Sequence, residues 1–358
     1  MVAATGKRAE VDGRRLSSAG RALVVIVLAL VFGLLLDAPG LHKSAFNESR
    51  GTHRTVALAL TGPLESVSHA LRLDRPRLWV KEALGRTSDD SIDTTVAVPV
   101  APVHHARGPR LVRSTGAAIP GRPGSKRRAF TPKHPLRLWI AGDSLVIEPG
   151  YALQRAALAT PVISSVGGVD GRIATGLDRP DVFNWFLEIR HQLKVVHPNA
   201  VLLCFGGNDD KAYMTGLPAG VSIDSFDDPS WRHEYARRVG GLIDMINRAG
   251  AYVVWMGLPV TADAAQTSRF DQINSVVDGV VRARPGGAAF VDTYRLLQGP
   301  DGGYAQYLQN LSGQLEDVRA PDGVHLAPAG AAIVAREVLK DLNTAYDLTS
   351  WRKALPKP

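Results

Sequence analysis

Three short stretches, far apart in the chain, carry the residue types that acyl-transfer chemistry needs. They are Gly142-Asp143-Ser144-Leu145, Gly206-Gly207-Asn208-Asp209 and Asp322-Gly323-Val324-His325. A serine hydroxyl is a weak nucleophile at neutral pH until a base takes its proton. Histidine is the usual base, and an aspartate on its other ring nitrogen fixes the tautomer and stabilises the imidazolium. Asp322 and His325 are three residues apart, so one turn can present both. Attack on a carbonyl also develops negative charge on its oxygen, which needs preorganised donors. The Ser144 backbone N–H is one candidate, a glycine N–H from a nearby loop a second, and the Asn208 side-chain amide a third.

These stretches are useful only if the fold brings them together. From about residue 135, apolar runs alternate with segments of helical spacing. Strands are expected at 136–142, 161–168, 200–207, 251–259 and 288–293, and helices at 150–159, 182–196, 231–250, 270–284 and 328–345. The run 200–207 is nearly all apolar, as a strand buried on both faces should be. Strands separated by helices imply a parallel sheet with right-handed crossovers. In such sheets ligands bind beyond the carboxyl ends of the strands. Ser144 follows the first strand, Asn208 follows the third, and His325 precedes the last helix.

With these blocks in this order, residues 135–345 resemble the SGNH/GDSL hydrolase family. GDSL is Gly142 to Leu145, the Gly-x-Asn-Asp block is Gly206 to Asp209, and the Asp-x-x-His block is Asp322 to His325. The stretch TGLDRPDVFNW and the apolar N-terminal segment resemble a membrane-anchored bacterial branch. The resemblance implies a three-layer α/β/α flavodoxin-like fold with a five-stranded parallel sheet. It implies Ser144 as nucleophile, His325 as base and Asp322 as its orienting acid. Gly176 and Asn208 would complete the oxyanion hole with the Ser144 N–H. The glycine block is the least sharp: Gly167, Gly168, Gly171 and Gly176 all qualify, and Gly176 is favoured because it follows Thr175 and precedes the next helical region. No metal or organic cofactor is implied. Asp143, Asp209 and Asp210 are read as shaping loops by hydrogen bonding, and Arg172 as part of a solvated turn. The insertion from Lys211 to Pro229 is expected to border the cleft.

Composition narrows the rest. Residues 1–130 hold 20 basic and 10 acidic residues, and residues 131–358 hold 22 and 24, so the net charge of +8 belongs to the N-terminal third. That excludes a basic nucleic-acid-binding globular domain and points to a segment near an anionic surface. The single cysteine, Cys204, excludes an intrachain disulfide and reads as a core residue. Residues Ala22 to Leu36 are uncharged and apolar, and Lys7, Arg8, Arg14, Arg15 and Arg21 precede them. The run is shorter than the roughly 20 residues of a typical span, and a signal-peptide core is the alternative. The expected organisation is a basic cytoplasmic tail (1–21), a transmembrane anchor or signal segment (22–36), a juxtamembrane helical segment (37–86), a Pro/Arg-rich linker (87–130) and a hydrolase domain (131–348). In it, helices cover about 54–71 and 77–84, His104-His105 is solvated, and Lys126-Arg127-Arg128 is a solvated or membrane-facing cluster. Basic residues before the anchor place the N-terminus inside and the remaining chain outside the cytoplasm.

The function expected from these parts is an extracytoplasmic ester hydrolase removing short acyl groups from a cell-envelope glycan or lipid. An O-acyltransferase of envelope polysaccharide with the same triad, or a non-catalytic envelope scaffold, are the alternatives.

Overall fold

The computed structural model describes residues 19–48, 51–83, 92–98, 127–211, 213–310 and 312–354. The chain forms two units, residues 1–91 and 92–358.

The first unit is helical: α1 (Ala19–Leu36), α2 (Ala38–Asn47), α3 (Thr52–Ala70) and α4 (Arg75–Ala83). The last two answer the two expected helices, and α2 was not foreseen. Leu23, Ile26, Leu30 and Phe32 of α1 are exposed. Among the described residues no single helix is long and apolar enough to cross a membrane; α1 and α2 together reach that composition but are bent by 67°. The helices α2 and α3 are joined by His42 Nδ1 and the Thr61 hydroxyl at 2.9 Å.

The second unit holds a sheet of β1 (Leu136–Gly142), β2 (Ile163–Gly171), β3 (Ala200–Cys204), β4 (Tyr252–Met256) and β5 (Ala288–Val291). All pairings are parallel, and the spatial order is β2-β1-β3-β4-β5. This is the flavodoxin-like order, with its switch point between β1 and β3, and the α/β/α fold of SGNH hydrolases expected from the sequence. Around it pack α5 (Ile147–Leu158), α6 (Trp185–Val195), α7 (Trp231–Arg248), α8 (Ala264–Arg282), α9 (Thr293–Leu297) and α10 (Pro328–Ala345). Every residue of β3 and β4 is buried, which explains their unbroken apolar runs.

Element ends differ from expectation for local reasons. Gly167 and Gly168 have φ of +71° and +70°, and the β1–β2 register shifts there; the strand then continues to Gly171 instead of ending. β3 stops at Cys204 because Gly206 turns the chain at φ +125°. α8 begins six residues early because the Asp263 side chain caps the Ala265 and Gln266 N–H groups. A short hairpin of β6 (Tyr307–Gln309) and β7 (Leu315–Asp317) was not foreseen; three-residue strands carry too little alternation to stand out.

The segment expected as a linker divides in two. Residues 99–126 lie outside the described residues, and with them His104-His105 and Lys126. Residues 92–98 form an extended strap fixed on the second unit. The Asn184 amide donates to the Thr95 carbonyl at 3.0 Å, Arg190 donates to the Ala97 carbonyl at 2.9 Å, and Val98 is buried against Gly241. Arg127 donates to the Asn343 carbonyl at 2.7 Å and the Arg128 guanidinium lies 4.9 Å from the Phe130 ring, so both are held in contacts within the domain. Cys204 is free and buried, and burial pushes its thiol well up.

Candidate active site

Ser144 is positioned from the end of β1. Gly142 runs so close to β3 that a Cβ there would overlap the Cys204 carbonyl oxygen. The Asp143 N–H donates to that carbonyl at 3.0 Å. The Asp143 carboxylate is fully buried and accepts the Leu145 N–H at 2.9 Å and the Gly207 N–H at 2.8 Å. It thereby caps the short 3-10 turn Ser144–Val146, which leads directly into α5. Burial pushes the Asp143 carboxyl up to about 7, against the pull of the Leu145 and Gly207 N–H groups. Among the described residues the Ser144 N–H donates to no acceptor, as expected at the first residue of a helical turn.

Asp322 and His325 come from the loop before α10. Arg319 and Leu326 form a bridge, the Ala320 N–H donates to the His325 carbonyl at 2.9 Å, and Gly323 turns the loop at φ +71°. Asp322 Oδ1 accepts the Val324 N–H at 2.9 Å and the His325 N–H at 3.0 Å. Its other oxygen meets His325 Nδ1 at 2.6 Å. Partial burial raises the Asp322 carboxyl, but the Val324 N–H and the His325 ring and N–H outweigh it, and the net direction is downward. An ionised carboxylate accepts only, so in the neutral ring Nδ1 carries the proton and Nε2 keeps its lone pair. That lone pair faces the Ser144 hydroxyl, with Nε2 to Oγ at 2.8 Å. The structure thus joins all three residues across 181 positions of sequence in one hydrogen-bonded line.

Asn208 is half-buried just beyond β3, and its Nδ2 donates to the Thr175 carbonyl at 3.0 Å. Gly176, the next residue, is buried, and among the described residues its N–H donates to no acceptor. The other candidate glycines lie within β2: Gly167 and Gly168 make its bulge, and Gly171 pairs with Gly142. Of the four, the structure brings Gly176 beside Asn208.

A buried network that the sequence did not reveal holds the Gly176 loop. Asp209 accepts the Leu177 N–H at 3.0 Å, the Asp178 N–H at 2.9 Å and the Tyr235 hydroxyl at 2.8 Å. A Cβ on Gly176 would overlap the Asp209 carboxylate. Fully buried Arg238 donates to the carbonyls of Leu177 and Thr215, each at 2.6 Å, and pairs with Glu234 at 2.7 Å. The Trp231 indole N–H donates to Asp178 at 2.7 Å, and the Trp185 indole N–H donates to the Thr175 hydroxyl at 3.0 Å. Burial raises both Asp178 and Asp209; the Asp209 charge raises Asp178 further, and the N–H donors on Asp209 partly offset its own rise. Asp209 shapes this loop by hydrogen bonding, as the sequence suggested; Asp178 was not singled out there. Arg172 departs from the expected solvated turn: it pairs with Asp170 at 2.9 Å and its guanidinium lies 4.0 Å from the Phe183 ring centre. The insertion after Asn208 folds back through Thr215, whose N–H donates to the Asp178 carbonyl at 3.0 Å.

A family model described as "Protein of unknown function (DUF459)" matches residues 137–341, more than half of the chain. The chain belongs to the DUF459 family. The matched region runs from β1 to α10 and contains Ser144, Asn208, Asp322 and His325. No curated protein matches the chain. Similar solved structures include a GDSL-like lipase from Bacteroides thetaiotaomicron, with 14% identity, TM-score 0.39, and coverage of 58% of this chain and 88% of that one. A catalytic mutant of the acetylxylan esterase Axe2 from Geobacillus stearothermophilus has 15% identity, TM-score 0.39, and coverage of 60% and 96%. The α/β hydrolase LAE5 from the Lake Arreo metagenome has 17% identity, TM-score 0.39, and coverage of 59% and 97%.

Proposed function

We propose that this DUF459 protein is a serine-dependent ester hydrolase of the SGNH/GDSL type. The observation that carries the reading is the hydrogen-bonded line from Asp322 through His325 to Ser144 at the carboxyl edge of the sheet. Ser144 Oγ attacks the ester carbonyl carbon while His325 Nε2 takes the hydroxyl proton. The negative charge on the carbonyl oxygen is met by the N–H groups of Ser144 and Gly176 and by Asn208 Nδ2. The intermediate collapses, the leaving alcohol receives the proton from Nε2, and the acyl group stays on Ser144. Water then attacks the acyl carbonyl and gives its proton to His325; the bond to Ser144 Oγ breaks, Oγ takes that proton back from Nε2, and the acid leaves. Asp322 holds the imidazole in the required tautomer and balances its charge throughout.

The catalytic part of the sequence holds no long apolar lid segment, which favours a short acyl group. The basic residues before the exposed apolar helix α1 support an extracytoplasmic location beside a membrane, with an acylated envelope glycan or lipid as substrate. The test is p-nitrophenyl acetate hydrolysis by the full chain, wild type beside Ser144→Ala. The substitution should remove at least about 10³-fold of the rate. A folded variant with an unchanged rate would overturn the reading. Ser144-dependent acylation without turnover in water would move it to an O-acyltransferase.

A further inference from the structure

We infer that Lys211 is a positioning residue that fixes and polarises the Asn208 amide for its work on the oxyanion. This rests on the reading of Asn208 as an oxyanion donor. A side-chain amide is nearly isosteric with its own flipped form, so its ends are distinguished only by their partners. Lys211 Nζ lies 3.2 Å from Asn208 Oδ1. An ammonium has three donors and no acceptor, so it can face the carbonyl end and not the NH2 end. At the other end stands the Thr175 carbonyl, an acceptor alone, 3.0 Å from Nδ2. Both partners therefore select the same orientation. Nδ2 has two hydrogens; Thr175 takes one, and the second remains for a developing oxyanion. A cation on Oδ1 also draws electron density through the amide and strengthens its N–H donors, as hydrogen bonds in a chain polarise one another. The two carboxylates next to Asn208 are engaged elsewhere: Asp209 with Leu177, Asp178 and Tyr235, and Asp210 with Arg269 at 2.6 Å. Lys211 is exposed, so replacing it leaves the core intact.

The test is steady-state hydrolysis of p-nitrophenyl acetate by the full chain as wild type, Asn208→Ala, Lys211→Met, Lys211→Arg and the Asn208→Ala/Lys211→Met double variant. Asn208→Ala should lower kcat about 10²-fold to 10³-fold, and Lys211→Met about tenfold with KM within about twofold. Lys211→Arg should recover most of the loss. The double variant should be no slower than Asn208→Ala, because Lys211 acts through the amide. Asn208→Ser, which keeps a polar group against Thr175, replaces the alanine variant if that fails to fold. Wild-type kcat in Lys211→Met beside an impaired Asn208→Ala overturns this inference and leaves the oxyanion reading standing. A Lys211→Met loss that persists in the Asn208→Ala background also overturns it, since the ammonium then acts directly on substrate. Wild-type kcat in Asn208→Ala overturns both.

Discussion

Asp143 Oδ2 accepts the Gly207 N–H at 2.8 Å, and this bond ties the turn that carries Ser144 to the loop that carries Asn208. The Asp143 N–H returns the tie by donating to the Cys204 carbonyl at 3.0 Å. Ser144 and Asn208 are therefore held by one buried carboxyl, although 64 positions separate them.

The same carboxyl makes stability depend on pH. Burial lifts Asp143 to about 7 in the folded chain, whereas an unfolded aspartate titrates near about 4. Between these values the folded state holds more protons than the unfolded state. The stability contribution is thus fully present below the unfolded value and is lost as pH rises through the folded one. The loss approaches but does not exceed about 1.4 kcal/mol per pH unit. Asp143→Asn should flatten this component of the slope, read as the difference between urea-unfolding curves of the two proteins at pH 4.5, 5.5, 6.5 and 7.5. Parallel pH dependence in both would show that Asp143 does not titrate in this range.

Asp322 gives a kinetic signature without a stability one. Its side chain is half exposed, and its second oxygen sits on His325 Nδ1 at 2.6 Å. Asp322→Asn offers Nδ1 an amide that can turn its donor inward and so select the wrong tautomer. The kcat for ester hydrolysis should fall about 10⁴-fold, with the thermal midpoint little changed. A loss of less than about tenfold would mean that Asp322 does not orient the base.

Arg238 should couple stability to rate. It donates to the carbonyls of Leu177 and Thr215 and pairs with Glu234, all out of water. Arg238→Met leaves those carbonyls without their donor and should cost about 3–5 kcal/mol in urea unfolding. The loop from Thr175 to Asp178 loses an anchor at the same time, so kcat should fall even in the fraction that remains folded. Unchanged kcat per folded molecule would confine Arg238 to a structural role.

The sequence by itself determined the sheet and the side of it on which Ser144, Asp322 and His325 stand. Apolar runs such as 200–204 are long enough to demand burial, and the helices between them force parallel pairing. Ser144 directly follows a strand, and Asp322 and His325 share one turn, so local spacing and strand order already placed them on one edge. The tertiary structure decided what holds that line. Asp143 meets Gly207, Asp209 meets Tyr235, Arg238 meets Leu177, and the strap of residues 92–98 lies on α6 and α7. Such contacts leave no trace in sequence because each partner, taken alone, is an ordinary polar residue in a helix or loop. Periodicity records which face of an element is buried; it does not record which distant group satisfies a buried hydrogen bond. Those partners appear only when the chain closes and water is excluded, which is also when their cost of being left unpaired becomes large.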